Sequence, residues 1–263
     1  MTEIKGTVLL TGASGGIGHA IARSLAARGA QLVLTGRRAD LLEPLAEEVG
    51  GRALVLDLAE RDAVPRLVEE AGDVEILVAN AALPASGTLD DYSLEQIDRA
   101  LEVNLRAPIA LAKLLSEPMA RRGHGHLVFI SSLSGKSAAP GSSLYSATKF
   151  GLRGFALGLR EDMRDAGVGV STVFPGFIRD AGMFAEAGVA LPRGVGTRTP
   201  EDVAAGVVRA IERDKGEVVV AAPGLRVGAA FAGLAPELSG LTSRRLGAAK
   251  ISAGLASAQR EKR

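Results

Sequence analysis

Apolar residues along the chain fall into two alternating patterns. Short unbroken runs recur at T-V-L-L-T-G (7–12), Q-L-V-L-T (31–35), A-L-V-L-D (53–57), E-I-L-V-A (75–79), H-L-V-F-I-S (126–131), G-V-S-T-V-F (169–174) and E-V-V-V-A (217–221). A run of this kind, rich in Val, Leu and Ile, predicts a strand buried on both faces. Between the runs, apolar residues return every three or four positions, as at Ile17, Ile21, Ala22 and Leu25 before a stop at Gly29. That spacing predicts amphipathic helices, here also over 39–48, around 62–71, and over 93–122, 143–166 and 200–214. Strands separated by helices require crossover connections. The expected fold is α/β, a doubly wound seven-stranded parallel sheet with helices on both faces.

Two segments depart from the alternation. Residues 176–199 are rich in Gly, Pro and Ala and too long for an ordinary connection, which makes them a lid candidate. After Pro223 comes a tail that belongs to no βα unit. The chain has no Gly/Ser linker and no repeat beyond the alternation. The expectation is one dinucleotide-binding catalytic domain over 1–223, followed by a tail over 224–263.

Composition narrows the classes. With 47% apolar residues the chain can bury a large core, and a net charge of +1 implies no general pull toward nucleic acid. Zero cysteines exclude a disulfide framework and thiol chemistry. The opening M-T-E-I-K-G shows no leader pattern, and no apolar stretch approaches the roughly eighteen residues of a spanning helix. A soluble, cytoplasmic protein is expected.

The first strand ends in T-G-A-S-G-G-I-G and opens directly into a helix. A Gly-rich turn in that position lets the backbone approach a pyrophosphate, whose charge then sits at the helix N-terminus. Gly12, Ser14, Gly16, Ile17 and Gly18 are the candidate contacts of a Rossmann-like site, although their spacing is G-x-x-x-G-x-G rather than G-x-G-x-x-G. An acidic residue about 20 positions further on usually takes the ribose 2′-hydroxyl. Here Gly36 stands in that place, followed by Arg37 and Arg38. A carboxylate would repel a 2′-phosphate, whereas a guanidinium binds it bidentately. At about 1.5–3 kcal/mol for a charged hydrogen bond, one arginine favours NADP over NAD roughly ten- to a hundredfold, while the other solvates the loop. Asp57, closing the third strand, is placed to accept from an adenine amino group, and Asn80, closing the fourth, to lie near the nicotinamide-side ribose. Carboxyl ends of parallel strands are where such ligands bind.

The fifth strand ends in I-S-S. Tyr145 lies thirteen residues after Ser132, at the start of the next helix, and Lys149 is one turn further on the same face. An ammonium held near a phenol favours the phenolate, so the tyrosine pKa is expected to fall below its usual value of about 10. A shift of three units needs about 4 kcal/mol, within reach of a close cation in a water-poor site. Tyr145 then exchanges a proton with a substrate oxygen near neutral pH.

Taken together these motifs resemble the short-chain dehydrogenase/reductase family in its compact form. The likeness runs from Val8 to Ala222 through T-G-A-S-G-G-I-G, D-L at 57–58, N-A-A at 80–82, V-N-L at 103–105, S-S at 131–132, Y-S-A-T-K at 145–149 and P-G at 175–176. The resemblance implies hydride transfer at a nicotinamide, with Tyr145 as acid/base and Ser132 bonded to the substrate carbonyl. It implies that Lys149 lowers the tyrosine pKa and binds the nicotinamide ribose, and that Asn104 holds a water in a proton relay. It adds Leu58, Pro175, Gly176 and Ile178 to the cofactor contacts, and a homodimer or homotetramer built through the helices at 93–122 and 143–166. The sequence departs from the family at Ala79 and Ala82, where N-N-A-G is usual. It departs again at Asp180, where a threonine is common and a carboxylate would have to accept from the cofactor carboxamide.

The resulting expectation is an NADP(H)-dependent oxidoreductase that interconverts a carbonyl and a secondary alcohol. Phe177, Met183, Phe184, Val189 and Leu191 in the lid favour an apolar or lipid-like small molecule. A nucleotide-sugar epimerase or dehydratase is a rival, because Gly15 also completes G-x-x-G-x-x-G, but a separate sugar-nucleotide lobe would need more chain. A non-catalytic NADP-binding regulator is a second rival, opposed by the intact Asn104, Ser132, Tyr145 and Lys149 set. No metal is expected, since His124 and His126 stand at a strand entry with no Cys or carboxylate at ligand spacing. His19 faces either solvent or a phosphate, and Arg121 and Arg122 complement a helix dipole. Arg244, Arg245, Lys250, Arg260, Lys262 and Arg263 in the tail leave cleft packing, oligomer contact or an anionic membrane open.

Overall fold

The computed structural model describes residues 3–192, 195–235, 237 and 248–259. Strands β1 (Thr7–Thr11), β2 (Gln31–Gly36), β3 (Arg52–Val55), β4 (Ile76–Ala79), β5 (Gly125–Ile130), β6 (Val168–Pro175) and β7 (Glu217–Val220) form one parallel sheet in the order β3-β2-β1-β4-β5-β6-β7. The connections change direction between β1 and β4, which opens a crevice at the carboxyl ends of those two strands.

The unbroken apolar runs are explained by a sheet covered on both sides. Val8, Leu10, Ile76, Val78, Val128 and Ile130 face a core with α1 (Gly16–Ala26), α2 (Ala39–Glu48) and α8 (Pro200–Glu212). Leu9, Leu77, Leu127 and Phe129 point the other way, toward α3 (Ala63–Ala71), α5 (Ala107–Arg122) and α6 (Ser143–Met163). Side chains alternate across a strand, so one strand feeds both cores, each large side chain contributing about 1.5–3 kcal/mol on burial. Thr199 begins α8 with a capping box: its Oγ1 accepts from the Asp202 N–H at 3.1 Å, and Pro200 supplies the first-turn φ.

The helical region expected over 93–122 runs without a break from Leu94 to Arg122, but not as a uniform α-helix. Between α4 (Leu94–Leu101) and α5 lies a π-turn, Glu102–Arg106, that carries Asn104. The Asn104 amide accepts from the Leu83 N–H at 2.6 Å and donates to the Leu83 carbonyl at 2.9 Å. It therefore serves the loop after β4 as a strand partner would. Widening the helix by one residue at that point is the geometric counterpart of this contact.

The lid candidate has internal structure. The Arg198 N–H donates to the Phe177 carbonyl and the Arg179 N–H to the Arg198 carbonyl, both at 2.9 Å, which ties its two ends together. Within it, α7 (Gly182–Ala187) brings Phe184 to 4.9 Å from Phe177, ring centre to ring centre. The tail forms α9 (Pro223–Leu234) and α10 (Ala248–Gln259), and α10 packs on α7. Arg244, Arg245, Arg260, Lys262 and Arg263 lie outside the described residues. No helix among the described residues is long and apolar enough to cross a membrane. His126 lies inside β5, buried, with Nε2 at 2.8 Å from the Ser171 hydroxyl, and burial depresses its pKa to about 4. It is a core residue, and no cluster of potential metal ligands occurs among the described residues.

Candidate active site

The crevice holds two adjoining clefts. The larger, of about 680 Å³, is lined by Gly12, Ser14, Gly16, Ile17, Arg37, Arg38, Asp57, Leu58 and Asn80, which gathers most of the expected dinucleotide contacts in one place. Gly12 adopts φ +66°, and a Cβ there would lie 2.7 Å from the Ala81 Cα, so the β1 turn closes against β4 only with glycine. Gly36 is fixed differently: a Cβ would lie 2.8 Å from the Ser14 hydroxyl. The serine occupies the space where an acidic side chain would begin. Helix α1 starts after Gly15 with no side-chain cap and no acid in its first turn. Its free N–H groups and dipole therefore face the cleft uncompensated, which suits a phosphate.

The smaller cleft, of about 270 Å³, is lined by Ser132, Tyr145 and Lys149 together with Pro175, Gly176 and Ile178. Ile17 and Asn80 line both clefts. Ser132 follows β5 and accepts from the Ser134 N–H at 3.1 Å. Its side chain is hydrogen-bonded to Tyr145. Lys149 is 2% exposed, donates to the Ile130 carbonyl at 3.1 Å, and holds Nζ 5.6 Å from the centre of the Tyr145 ring. Ser131 donates to the Lys149 carbonyl at 3.1 Å, tying α6 to the end of β5.

Electrostatics here correct the expectation for Tyr145. Burial pushes the phenol up to about 12, against a smaller downward pull from the Ser132 hydrogen bond. Burial lowers Lys149 to about 8. The expected fall of the tyrosine below 10 is not found. The ammonium donates to the Ile130 carbonyl, 5.6 Å from the ring centre, and desolvation of the hydroxyl is the dominant effect.

A family model described as short chain dehydrogenase matches residues 6–190. The chain belongs to the short-chain dehydrogenases. As a member of that family it is an NAD(P)-dependent oxidoreductase. This short-chain dehydrogenase is 37% identical over 230 residues to the ketoacyl reductase HetN of Nostoc sp., covering 84% of this chain and 80% of that one. It is 34% identical over 182 residues to the 3-oxoacyl-(acyl-carrier-protein) reductase FabG of Rickettsia conorii, covering 68% and 76%. A solved short-chain dehydrogenase from Sphingobium yanoikuyae in complex with NADPH superposes with a TM-score of 0.77 at 28% identity, covering 90% of this chain and 95% of that one.

Several residues of the short-chain dehydrogenase stand differently from expectation. Asn104 is 1% exposed and lines neither cleft; its amide oxygen and one of its amide N–H groups are engaged by Leu83. Gly18 also lies behind the cleft wall, packed against the Gly12 turn. Asn80 spends its amide nitrogen on the Thr11 and Gly12 carbonyls, at 3.1 and 3.0 Å, and so braces the turn from the edge of both clefts. Asp57 already accepts from Arg99 at 2.9 Å and from the Ala59 N–H at 3.0 Å. An adenine amino group would have to share that carboxylate. Asp180, with φ +70° and a side chain 67% exposed, pairs with Arg179 at 3.3 Å and lines neither cleft. Arg99 and Gln259 do line the clefts, and no sequence signal marks either, since one sits on α4 and the other at the end of the tail.

Proposed function

We propose that this short-chain dehydrogenase uses NADP(H) to reduce the ketone of an apolar, acyl-like substrate, with 3-oxoacyl thioesters the leading class. The observation that carries the reading is the convergence of Ser132, Tyr145 and Lys149 on a cleft walled by Leu133, Phe177, Ile178 and Phe184, beside the phosphate cleft. The ketoacyl reductase relatives and the NADPH-bound structural neighbour support it. When bound, the nicotinamide supplies a hydride to the carbonyl carbon. A carbonyl oxygen inserted between Ser132 and Tyr145 accepts from both hydroxyls, and Tyr145 gives up its proton as that oxygen gains the electron pair. A phenol pushed up to about 12 stays protonated throughout the neutral range, so the donor form is populated, but it is a weak acid unless the phenolate it leaves is stabilised. The phenolate left behind is then stabilised by the Lys149 ammonium one turn away.

The test is NADPH consumption with a series of 3-oxoacyl thioesters of increasing chain length, alongside small sugars and nucleotide sugars. Epimerisation consumes no net NADPH, so nucleotide sugars are followed by product analysis; conversion confined to them, with no ketone-dependent NADPH oxidation, would instead favour the epimerase reading.

Cofactor preference divides the two arginines. Arg38 donates to the Ser14 carbonyl at 2.6 Å and so braces the turn, whereas Arg37 stands 3.8 Å from Asp57 and is half exposed in the cleft. Arg37→Ala is expected to narrow the preference for NADPH over NADH by about tenfold, consistent with one charged hydrogen bond, while Arg38→Ala weakens both cofactors. Paired dissociation constants by calorimetry decide this, and an unchanged NADPH/NADH ratio in both variants would remove the NADP assignment.

Helices α5 and α6 carry the exposed apolar residues Leu114, Phe150 and Leu157, each 40–43% exposed. Burying them against a second copy is the proposed route to a dimer or tetramer. Light scattering on Phe150→Glu is expected to show a smaller particle than wild type; an unaltered oligomeric mass would exclude this face.

A further inference from the structure

Helix α10 lies beyond the matched residues 6–190 and outside the βα units, yet it forms a wall of the smaller cleft. Its sequence, A-A-K-I-S-A-G-L-A-S-A-Q, has Ile251 and Leu255 as its large apolar side chains. They stand one helical turn apart and therefore share a face. Both line the smaller cleft, and neither is fully buried. The helix thus turns apolar surface toward the ligand space instead of spending all of it in the core.

Small residues bring α10 close to two borders of that cleft. On one side, a Cβ added to Gly141, in the loop before α6, would lie 3.3 Å from the Ser252 Cβ. On the other, a Cβ on Gly254 would lie 3.0 Å from Val189 Cγ2 in the lid, and Gln259 Nε2 donates to the Met183 carbonyl on α7 at 3.3 Å. The helix therefore bridges from the loop that leads to Tyr145 across to the lid, and walls the cleft between them. At about 270 Å³ that cleft falls below the roughly 300–1,000 Å³ of sites that bury a drug-sized ligand. It has room for a short apolar chain and not for a long one. We propose that α10 sets the length of acyl chain this enzyme accepts, with Ile251 and Leu255 the stop against which the far end of the chain rests. This rests on the ketone-reduction reading above.

The test is the chain-length profile of kcat/KM with saturating NADPH, from acetoacetyl to 3-oxododecanoyl thioesters of N-acetylcysteamine, in wild type, Leu255→Ala and Leu255→Phe. The peak is expected to move to longer chains in Leu255→Ala and to shorter ones in Leu255→Phe. Neighbouring substrates at the cut-off should differ by about tenfold or more, since one methylene in an apolar pocket is worth about 10–200-fold. Lengthening in Leu255→Ala alone could come from a loosened helix. Shortening in Leu255→Phe could not, and its absence overturns the proposal. A second readout uses the absence of cysteine from the chain. In Leu255→Cys with NADP⁺ bound, alkylation of the sole thiol by iodoacetamide is expected to be slowed by 2-octanone and not by butanone. Equal rates with either ketone and with none overturn the proposal. Should wild type reduce no ketone, the reduction reading falls, and the alkylation rates still decide whether an apolar chain meets α10.

Discussion

Tyr145→Phe is expected to abolish ketone reduction while NADPH binding stays within about twofold of wild type. General acid catalysis by a positioned side chain is worth roughly 10²–10⁴ in rate, and no second acid lies within the smaller cleft to take over. Its other polar side chains are serines, Asn80, Gln259 and Lys149, the last turned to the Ile130 carbonyl. The substitution removes one hydroxyl and keeps the ring, which packs with Leu144 and Ile97 in a small apolar cluster. Stability should therefore change little. Steady-state rates together with calorimetric NADPH titration separate the two effects. Retained turnover would remove Tyr145 as the acid, and lost cofactor binding would show that the ring, not the proton, was the essential part.

Lys149→Met is expected to change the pH dependence of stability more than any other single substitution in the site. The lysine's folded pKa of about 8 lies below its ordinary value of 10.5. At pH 7 the group is protonated in both folded and unfolded chains, so the folded state carries the full cost of a buried ammonium. As pH rises from 8 toward 10.5 the folded lysine sheds its proton first. The unfolded state then holds more protons, and stability rises with pH. The depression corresponds to about 3 kcal/mol. Relative to wild type, Lys149→Met should thus be favoured most at pH 7 and lose about 3 kcal/mol of that relative stability by pH 10. The Ile130 carbonyl left without its donor costs the variant something, but by an amount that does not vary with pH. Denaturant unfolding at a series of pH values provides the curve, and a constant offset between the two proteins would refute a charged, buried Lys149. The same ammonium is catalytically useful only when a phenolate forms beside it. The buried ammonium therefore weakens the fold in return for its use in the reaction, a trade of stability against function.

Local pattern sufficed wherever local forces decide. The seven strands appear where unbroken apolar runs predict them because each is buried on both faces, and burial does not depend on details of the loops. Gly12, Ser14 and Gly16 were legible for a related reason, since a strand, a tight turn and an uncapped helix start are consecutive in sequence. Tyr145 and Lys149 were legible because one helical turn fixes their relation. The helical region over 93–122 was legible too, but not the π-turn within it, which answers to Leu83, a residue on another segment that helical periodicity cannot register.

Residue types and their spacing alone therefore determined the parallel α/β architecture, the Gly-rich turn at the start of α1 and the placing of phenol and ammonium on one helical face. Only the tertiary structure decided the direction of the tyrosine's pKa, because desolvation depends on everything that encloses the hydroxyl and on where the ammonium finds its acceptor. It alone showed Arg99 beside Asp57, Asp180 turned away from the clefts and the end of the tail helix lining them, since those relations join segments separated by tens of residues. Contacts within a turn are written into neighbouring positions; contacts across the crevice exist only after the sheet has brought its strand ends, lid and tail to the same place.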